Sequence, residues 1–378
     1  MKTTVILVAG ILAGAATAFA PAAASVRLFI IGDSTVSNYK ASEAPMTGWG
    51  QLIGSFFADG SVTVNNRAIG GRSTRSFIED GHWTSVKAEL GQGDYLLIQF
   101  GHNDRGTVAE RHADTAQYRR YLTQYVDEAR AKGAIPILVS PMNMNAWNGA
   151  TLRRVFTEGV NDYRAAMLRV AQVSKVPFVD LEKKSADLFQ SLGQDYITRF
   201  LFMTLLSGEY PNYASGKSDG THFQDMGALE MARLVAEGIK ELSADTSVQG
   251  LASNLAPLIP LTVVSDKTSA GMVTRSGNYP PKAPITLKAI PKSGETFLGW
   301  SEANVKPAST AARESIVMPE APAAWRASFK GGVTAVAPVS RAAVSRKGKA
   351  SLRDAAGRAG PRPGPKFNGM TPREGKPR

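Results

Sequence analysis

Four short segments of the chain carry the residue types that acyl transfer requires. They are Ile31-Gly32-Asp33-Ser34-Thr35, Asn66-Arg67-Ala68-Ile69-Gly70-Gly71-Arg72-Ser73, Phe100-Gly101-His102-Asn103-Asp104 and Ser218-Asp219-Gly220-Thr221-His222-Phe223. Ser34 is the candidate nucleophile, and His222 the candidate base that takes its proton. Asp219 is placed to fix the tautomer of His222 and to stabilise its charged form. The three-residue spacing lets Asp219 and His222 meet on one loop. The backbone N–H groups of Ser34 and Gly71 and the side-chain amide of Asn103 are candidates for an oxyanion hole, where one lost donor costs on the order of 3 kcal/mol in the transition state. Each segment alone is weak. A serine can cap a helix, an asparagine can form a turn, and Asp219 can cap the helix that follows. It is the complete set that points to serine acyl-transfer chemistry.

The elements around these segments explain the placement. Strands are predicted at Arg27–Ile31, Val62–Asn66, Tyr95–Phe100, Ile135–Ser140 and Pro177–Asp180. Helices are predicted between them at Gly48–Ala58, Trp83–Leu90, Asp114–Lys132 and Leu152–Val173, with a last one over Asp225–Leu242. In that last helix Met226, Leu229, Ala232, Val235, Ala236 and Ile239 fall on one face. The strands read as continuous apolar runs, so both sheet faces should be covered. The fold class is therefore α/β, a parallel sheet between helical layers. Sites in such sheets lie beyond the carboxyl ends of the strands, and three of the four segments begin there.

Composition narrows the chemistry further. Among 378 residues there is no cysteine, which excludes disulfides, thiolate metal sites and cysteine nucleophiles. Four histidines make a histidine-rich metal site unexpected. The net charge of +12 invites a nucleic-acid reading, but residues 331–378 hold eleven Lys/Arg against two Asp/Glu. The basicity thus belongs to a tail, and no nucleic-acid partner is expected for the body. Residues 1–24 read as a cleaved secretory signal, with Lys2 ahead of an apolar run and small residues at Ala22-Ala23-Ala24. A secreted or periplasmic bacterial protein is the resulting expectation. After residue 245 the texture changes. Residues 255–330 read as a small β module, with strands at Leu261–Ser265, Gly271–Arg275, Ile285–Ala289, Glu314–Met318 and Trp325–Phe329. The Gly/Pro/Arg/Lys-rich segment 331–378 is expected to be a disordered basic tail.

The four segments, in this order, resemble the four blocks of the GDSL or SGNH hydrolase superfamily. Gly32-Asp33-Ser34-Thr35, Gly48-Trp49-Gly50, Gly71-Arg72-Ser73-Thr74-Arg75-Ser76, Gln99-Phe100-Gly101-His102-Asn103-Asp104 and Asp219-Gly220-Thr221-His222-Phe223 are similar to its rhamnogalacturonan acetylesterase branch. The resemblance spans about residues 26–242, within a body set at 25–245. It implies a three-layer α/β/α sandwich, no cofactor or metal, and removal of O-acetyl groups from plant cell-wall polysaccharide, either pectic or xylan. It also implies the roles already given for Ser34, Gly71, Asn103, Asp219 and His222. Under this reading Trp147 is a candidate for stacking on sugar and Tyr213 for lining the cleft. Arg72 either meets a uronate carboxylate or makes a loop salt bridge, and His102 either binds substrate or packs under its loop. A general esterase or lysophospholipase, and a non-catalytic binding protein working through the module and tail, are the competing readings. A monomer is expected. The β module resembles the internalin-type B-repeats, which implies an appendage, so that residues 25–250 should fold and act alone.

Overall fold

The computed structural model describes residues 25–302 and 309–330. The expected signal segment and basic tail lie outside the described residues. The five apolar runs make one sheet from β1 (Val26–Gly32), β2 (Val62–Asn66), β3 (Tyr95–Gln99), β4 (Ile135–Val139) and β5 (Phe178–Val179). Their order is β2-β1-β3-β4-β5, and every neighbouring pair is parallel. Alternate strand residues serve opposite layers. Leu28, Ile30, Leu97, Ile137 and Val139 face one core, and Phe29, Ile31, Leu96, Ile98 and Leu138 the other. All ten are at most 1% exposed, which is why the strands carry unbroken apolar runs.

One face is covered by α1 (Trp49–Leu52), α6 (Leu181–Leu192), α7 (Gln194–Phe200), α8 (Asp225–Glu241) and α9 (Thr246–Ala252). The other is covered by α2 (Thr74–Glu79), α3 (His82–Glu89), α4 (Thr115–Ala131) and α5 (Tyr163–Ser174). The helix expected over Leu152–Val173 is therefore shorter. Leu152 ends a two-strand ribbon, Trp147–Asn148 with Thr151–Leu152, and Gly159–Asn161 is a 3-10 turn, so the helix begins only at Tyr163. Asp162 then caps α5 by accepting from the Ala165 N–H (2.6 Å).

The C-terminal module is two small sheets. β6 (Ile259–Ser265), β8 (Gly277–Tyr279), β10 (Phe297–Glu302) and β12 (Ala323–Phe329) form one, in the order β8-β6-β12-β10. β7 (Gly271–Val273), β9 (Pro284–Pro291) and β11 (Arg313–Val317) form the other, in the order β7-β9-β11. The module is not a loose appendage. Its Leu261, Tyr279, Ile285 and Leu287 belong to the same continuous apolar core as Met226 and Leu229 of α8. Glu230 of α8 is fully buried and accepts hydrogen bonds from Tyr279 (2.6 Å) and Arg275 (3.0 Å) of the module and from Arg233 of its own helix (2.9 Å). Burial alone would raise the Glu230 pKa, but the adjacent Arg233 and Arg275 outweigh it and hold the carboxyl below its ordinary range. A cut near residue 250 would uncover this face and remove two of the three partners.

Candidate active site

Ser34 stands in the turn just after β1, and the residues around it form one buried hydrogen-bond chain. Asp33 accepts from the backbone N–H (2.9 Å) and hydroxyl (2.7 Å) of Thr35. Thr35 Oγ1 accepts from the Gln99 amide (2.9 Å), and Gln99 Oε1 accepts from the Trp49 indole (2.6 Å). These side chains come from three of the blocks, which the chain locks together beneath the serine. Gly48 and Gly50 flank Trp49 because a Cβ there would lie 2.2 Å from the Ser37 carbonyl and 2.6 Å from the Val36 carbonyl. Tyr39, unanticipated from sequence, donates to the Ser34 carbonyl (2.7 Å) and fixes the backbone that carries the nucleophile.

The second half of the site approaches from the loop before α8. Ser34 Oγ and His222 Nε2 are 2.8 Å apart, and His222 Nδ1 and Asp219 Oδ2 are 2.8 Å apart. The other carboxylate oxygen of Asp219 accepts from the N–H groups of Thr221 (2.9 Å) and His222 (3.0 Å). The loop is thereby closed on itself, as the three-residue spacing requires. Burial pushes the Asp219 pKa up, but the hydrogen bonds and charge of His222 outweigh this and hold the carboxyl well below its ordinary range. An ionised Asp219 keeps the proton of His222 on Nδ1 and leaves Nε2 free to accept from Ser34.

The third part faces Ser34 from the loops after β2 and β3. A Cβ on Gly70 would sit 3.6 Å from the Ser34 Cβ, so this loop lies directly against the nucleophile. Gly71 has φ +76°, a left-handed conformation that side chains disfavour. Neither the Ser34 nor the Gly71 N–H donates to an acceptor among the described residues. Asn103 Nδ2 donates one hydrogen to the Arg72 carbonyl (3.0 Å), leaving its second available. The amide is oriented by Arg111, which donates to Asn103 Oδ1 (3.2 Å) and to the Gly71 carbonyl (3.3 Å). Sequence reading missed Arg111, because no local signal ties a loop arginine to an asparagine eight residues earlier.

The candidates for substrate contact separate. Trp147 is half-buried on the 147–152 ribbon, and its indole donates to Asn145 (2.8 Å), whose own N–H donates to the Gly220 carbonyl (2.8 Å). It therefore stands beside the Asp219/His222 loop. Tyr213 lies under Lys217 (5.5 Å to the ring centroid) and donates to the Glu43 carbonyl (3.0 Å). For Arg72 and His102 the contacts match the second of the two alternatives that the sequence leaves open. The Arg72 guanidinium is held by Asp80 (3.0 Å) and His82 (3.3 Å), so it serves its own loop. The His102 side chain is only 5% exposed, lies 3.3 Å from Asp33 and packs edge-on against Phe156 (4.8 Å). A histidine beside an oxyanion-hole asparagine invites a substrate role, but its partner is a buried carboxylate that only the fold brings near.

This arrangement suits one sequence of events. An ester carbonyl over Ser34 is attacked by Oγ as its proton passes to His222 Nε2. The developing oxyanion meets the three free donors. His222 then protonates the departing alcohol and leaves an acyl-serine, which water hydrolyses by the same route.

Comparison with known proteins agrees with the geometry. Residues 30–227, just over half the chain, match the GDSL-like Lipase/Acylhydrolase family. Residues 261–332 match the Divergent InlB B-repeat domain. The chain is 42% identical over 223 residues to a rhamnogalacturonan acetylesterase of Bacillus subtilis, covering 57% of this chain and 90% of that one. It is 37% identical over 218 residues to a probable rhamnogalacturonan acetylesterase of the same organism, covering 57% and 93%. It is also 29% identical to a rhamnogalacturonan acetylesterase of Emericella nidulans, covering 56% and 84%. The chain belongs to the GDSL-like lipase/acylhydrolase family and is a carboxylic ester hydrolase fused to a divergent B-repeat module.

Proposed function

We propose that this protein is an exported serine esterase that removes acetyl groups from acetylated rhamnogalacturonan. Ser34 is the nucleophile, His222 the general base and acid, and Asp219 the group that orients it. Ser34 N–H, Gly71 N–H and the Asn103 amide bind the oxyanion. The observation that carries the reading is the Ser34–His222–Asp219 chain of two 2.8 Å contacts facing those donors. Relatives whose names specify rhamnogalacturonan support the polymer.

The charge around the oxyanion hole favours an acidic, pectic backbone over neutral xylan. Arg111 touches both Gly71 and Asn103, and Arg105 lies on the same loop. Among the described residues neither has a carboxylate partner, whereas Arg72 and Arg75 do. A galacturonate carboxylate beside the acetylated sugar would meet these cations. No helix among the described residues is long and apolar enough to cross a membrane. What supports export is the residue pattern of 1–24, with Lys2 ahead of an apolar run and small residues at Ala22-Ala23-Ala24.

Acetate release from acetylated rhamnogalacturonan and acetylated xylan, measured side by side, tests the proposal. Higher kcat/KM on the pectic polymer is expected, with the preference shrinking as salt rises. Equal or higher kcat/KM on xylan would overturn the substrate assignment.

A further inference from the structure

The B-repeat-like module sends one buried cation into the body. Lys288 of β9 is 6% exposed, yet its ammonium is enclosed by three separate segments. It donates to the Arg199 carbonyl at the end of α7 (2.7 Å) and to Gln224 Oε1 (3.2 Å), and it pairs with the Glu209 carboxylate. The rings of Phe200 and Tyr210 flank it (5.7 and 5.8 Å). A lysine desolvated this far is retained only against compensating partners, and all of these partners belong to the esterase.

They also belong to the part of the esterase that carries the base. Gln224 is two residues beyond His222. Its amide also donates to the Phe202 carbonyl (2.6 Å), while Met203 N–H donates to the His222 carbonyl (2.8 Å). On the other side, Glu209 belongs to the arm whose Leu205 and Lys217 exchange backbone hydrogen bonds (2.8 and 3.0 Å) just before Asp219. Thr204 of that arm donates to the Asp219 carbonyl (3.4 Å). A second module residue grips the same place. Arg313 of β11 stacks on Tyr210 (3.8 Å) and donates to the Glu209 carbonyl (3.2 Å). Ser34, by contrast, has no module residue among its hydrogen-bond partners within the described residues.

We propose that the module is a working part of the enzyme, and that Lys288 is a positioning residue which holds the 199–224 arm so that Asp219 and His222 reach Ser34. The proposal rests on the catalytic reading above. Lys288 touches neither substrate nor reacting atoms. It acts through Gln224 and Glu209, and misplacement of a catalytic group by about 1 Å can cost on the order of 10²-fold.

The test is a pair of double-mutant cycles on p-nitrophenyl acetate, run on the full chain well below its melting temperature. Lys288→Met should lower kcat about 10-fold or more while KM stays within about twofold. Asp219→Asn should cost about 10⁴ in the natural chain and markedly less in the Lys288→Met background. Asn103→Ala should cost the same in both, because the oxyanion hole is built without the module. Equal losses for Asp219→Asn in both backgrounds, or an unchanged kcat for Lys288→Met, would overturn the proposal. If Asp219→Asn has no effect in the natural chain, the catalytic reading itself fails instead. Should Lys288→Met not fold, the exposed Arg313→Ala carries the same test. A fall in kcat of roughly 2- to 5-fold, coupled to Asp219 and not to Asn103, supports the proposal, and no change overturns it.

Discussion

Ser34 and His222 meet across 2.8 Å but rest on different foundations. Ser34 follows β1, an interior strand of the sheet, and its neighbours Asp33, Thr35, Gln99 and Trp49 are buried and mutually hydrogen-bonded. His222 and Asp219 sit on a loop whose frame is an arm of irregular chain, braced by a second domain through Lys288 and Arg313. The nucleophile is held by buried side chains of the sheet and the loops at its edge, and the base by a contact between modules. In this enzyme the serine side is thus fixed by local sheet topology, while the base side depends on Lys288 and Arg313, which lie 64 and 104 positions beyond the residues they hold.

The largest expected effect lies on the base side. Asp219→Asn keeps shape but frees the wrong tautomer of His222, and kcat should drop by about 10⁴. A loss under tenfold in steady-state assays would mean that another group orients His222. Next comes the oxyanion side. Asn103→Ala should lower kcat by roughly 10²–10³ with little change in KM. On p-nitrophenyl acetate, which offers Arg111 no uronate carboxylate, Arg111→Gln only releases the amide that Arg111 orients and should cost less, on the order of 10-fold. An Arg111→Gln loss equal to that of Asn103→Ala would place Arg111 itself at the reacting atoms.

Removing the module tests the comparison more bluntly. Residues 25–250 should melt about 10 °C or more below the full chain, since loss of partners for a buried charge costs about 3–5 kcal/mol. Calorimetry on both proteins checks this. Equal melting temperatures would return the module to the status of an appendage.

How much of this was readable beforehand follows the same division. Ser34, Gly71 and Asn103 directly follow strands, so apolar runs and chain order were enough to find them. Asp219 and His222 were legible because both lie in one short motif. The features that only contacts reveal were not legible. Lys288 reads as an ordinary strand lysine, and nothing nearby announces that Arg199, Glu209 and Gln224 surround it. For His102 the sequence leaves substrate binding and packing open, because its partner Asp33 lies 69 residues earlier. The helices at Leu181–Leu192 and Gln194–Phe200 were passed over, although Leu181, Phe189, Ile197 and Phe200 supply their buried faces. Five of the seven module strands among the described residues are legible, whereas β8 (Gly277–Tyr279) and β10 (Phe297–Glu302) are not, nor is the continuation of the module core into α8.

A smaller effect concerns the sheet side and pH. Asp104 is buried, and burial raises its pKa to about 7 despite the opposing bonds from Thr74 N–H (3.0 Å) and hydroxyl (2.5 Å). Its ordinary value is 3.8. Between these values the folded state binds more protons than the unfolded one, so stability falls as pH rises from about 4 to about 7 and levels off above. Asp104→Asn can still accept from Thr74, and it should flatten that slope by about 1–4 kcal/mol across the window. Melting curves from pH 4.5 to 8 on both proteins measure it. Parallel curves would show that Asp104 stays ionised when folded.

The central claim is that Ser34 is the nucleophile of a carboxylic ester hydrolase. Inactivation with a fluorophosphonate, followed by peptide mass spectrometry, addresses it most directly. The account predicts one adduct per chain, on Ser34, appearing in step with loss of acetate release, and little labelling when Asp219→Asn is treated under the same conditions. Complete inactivation with the adduct on a residue other than Ser34, or full activity in a chain labelled at Ser34, would contradict it.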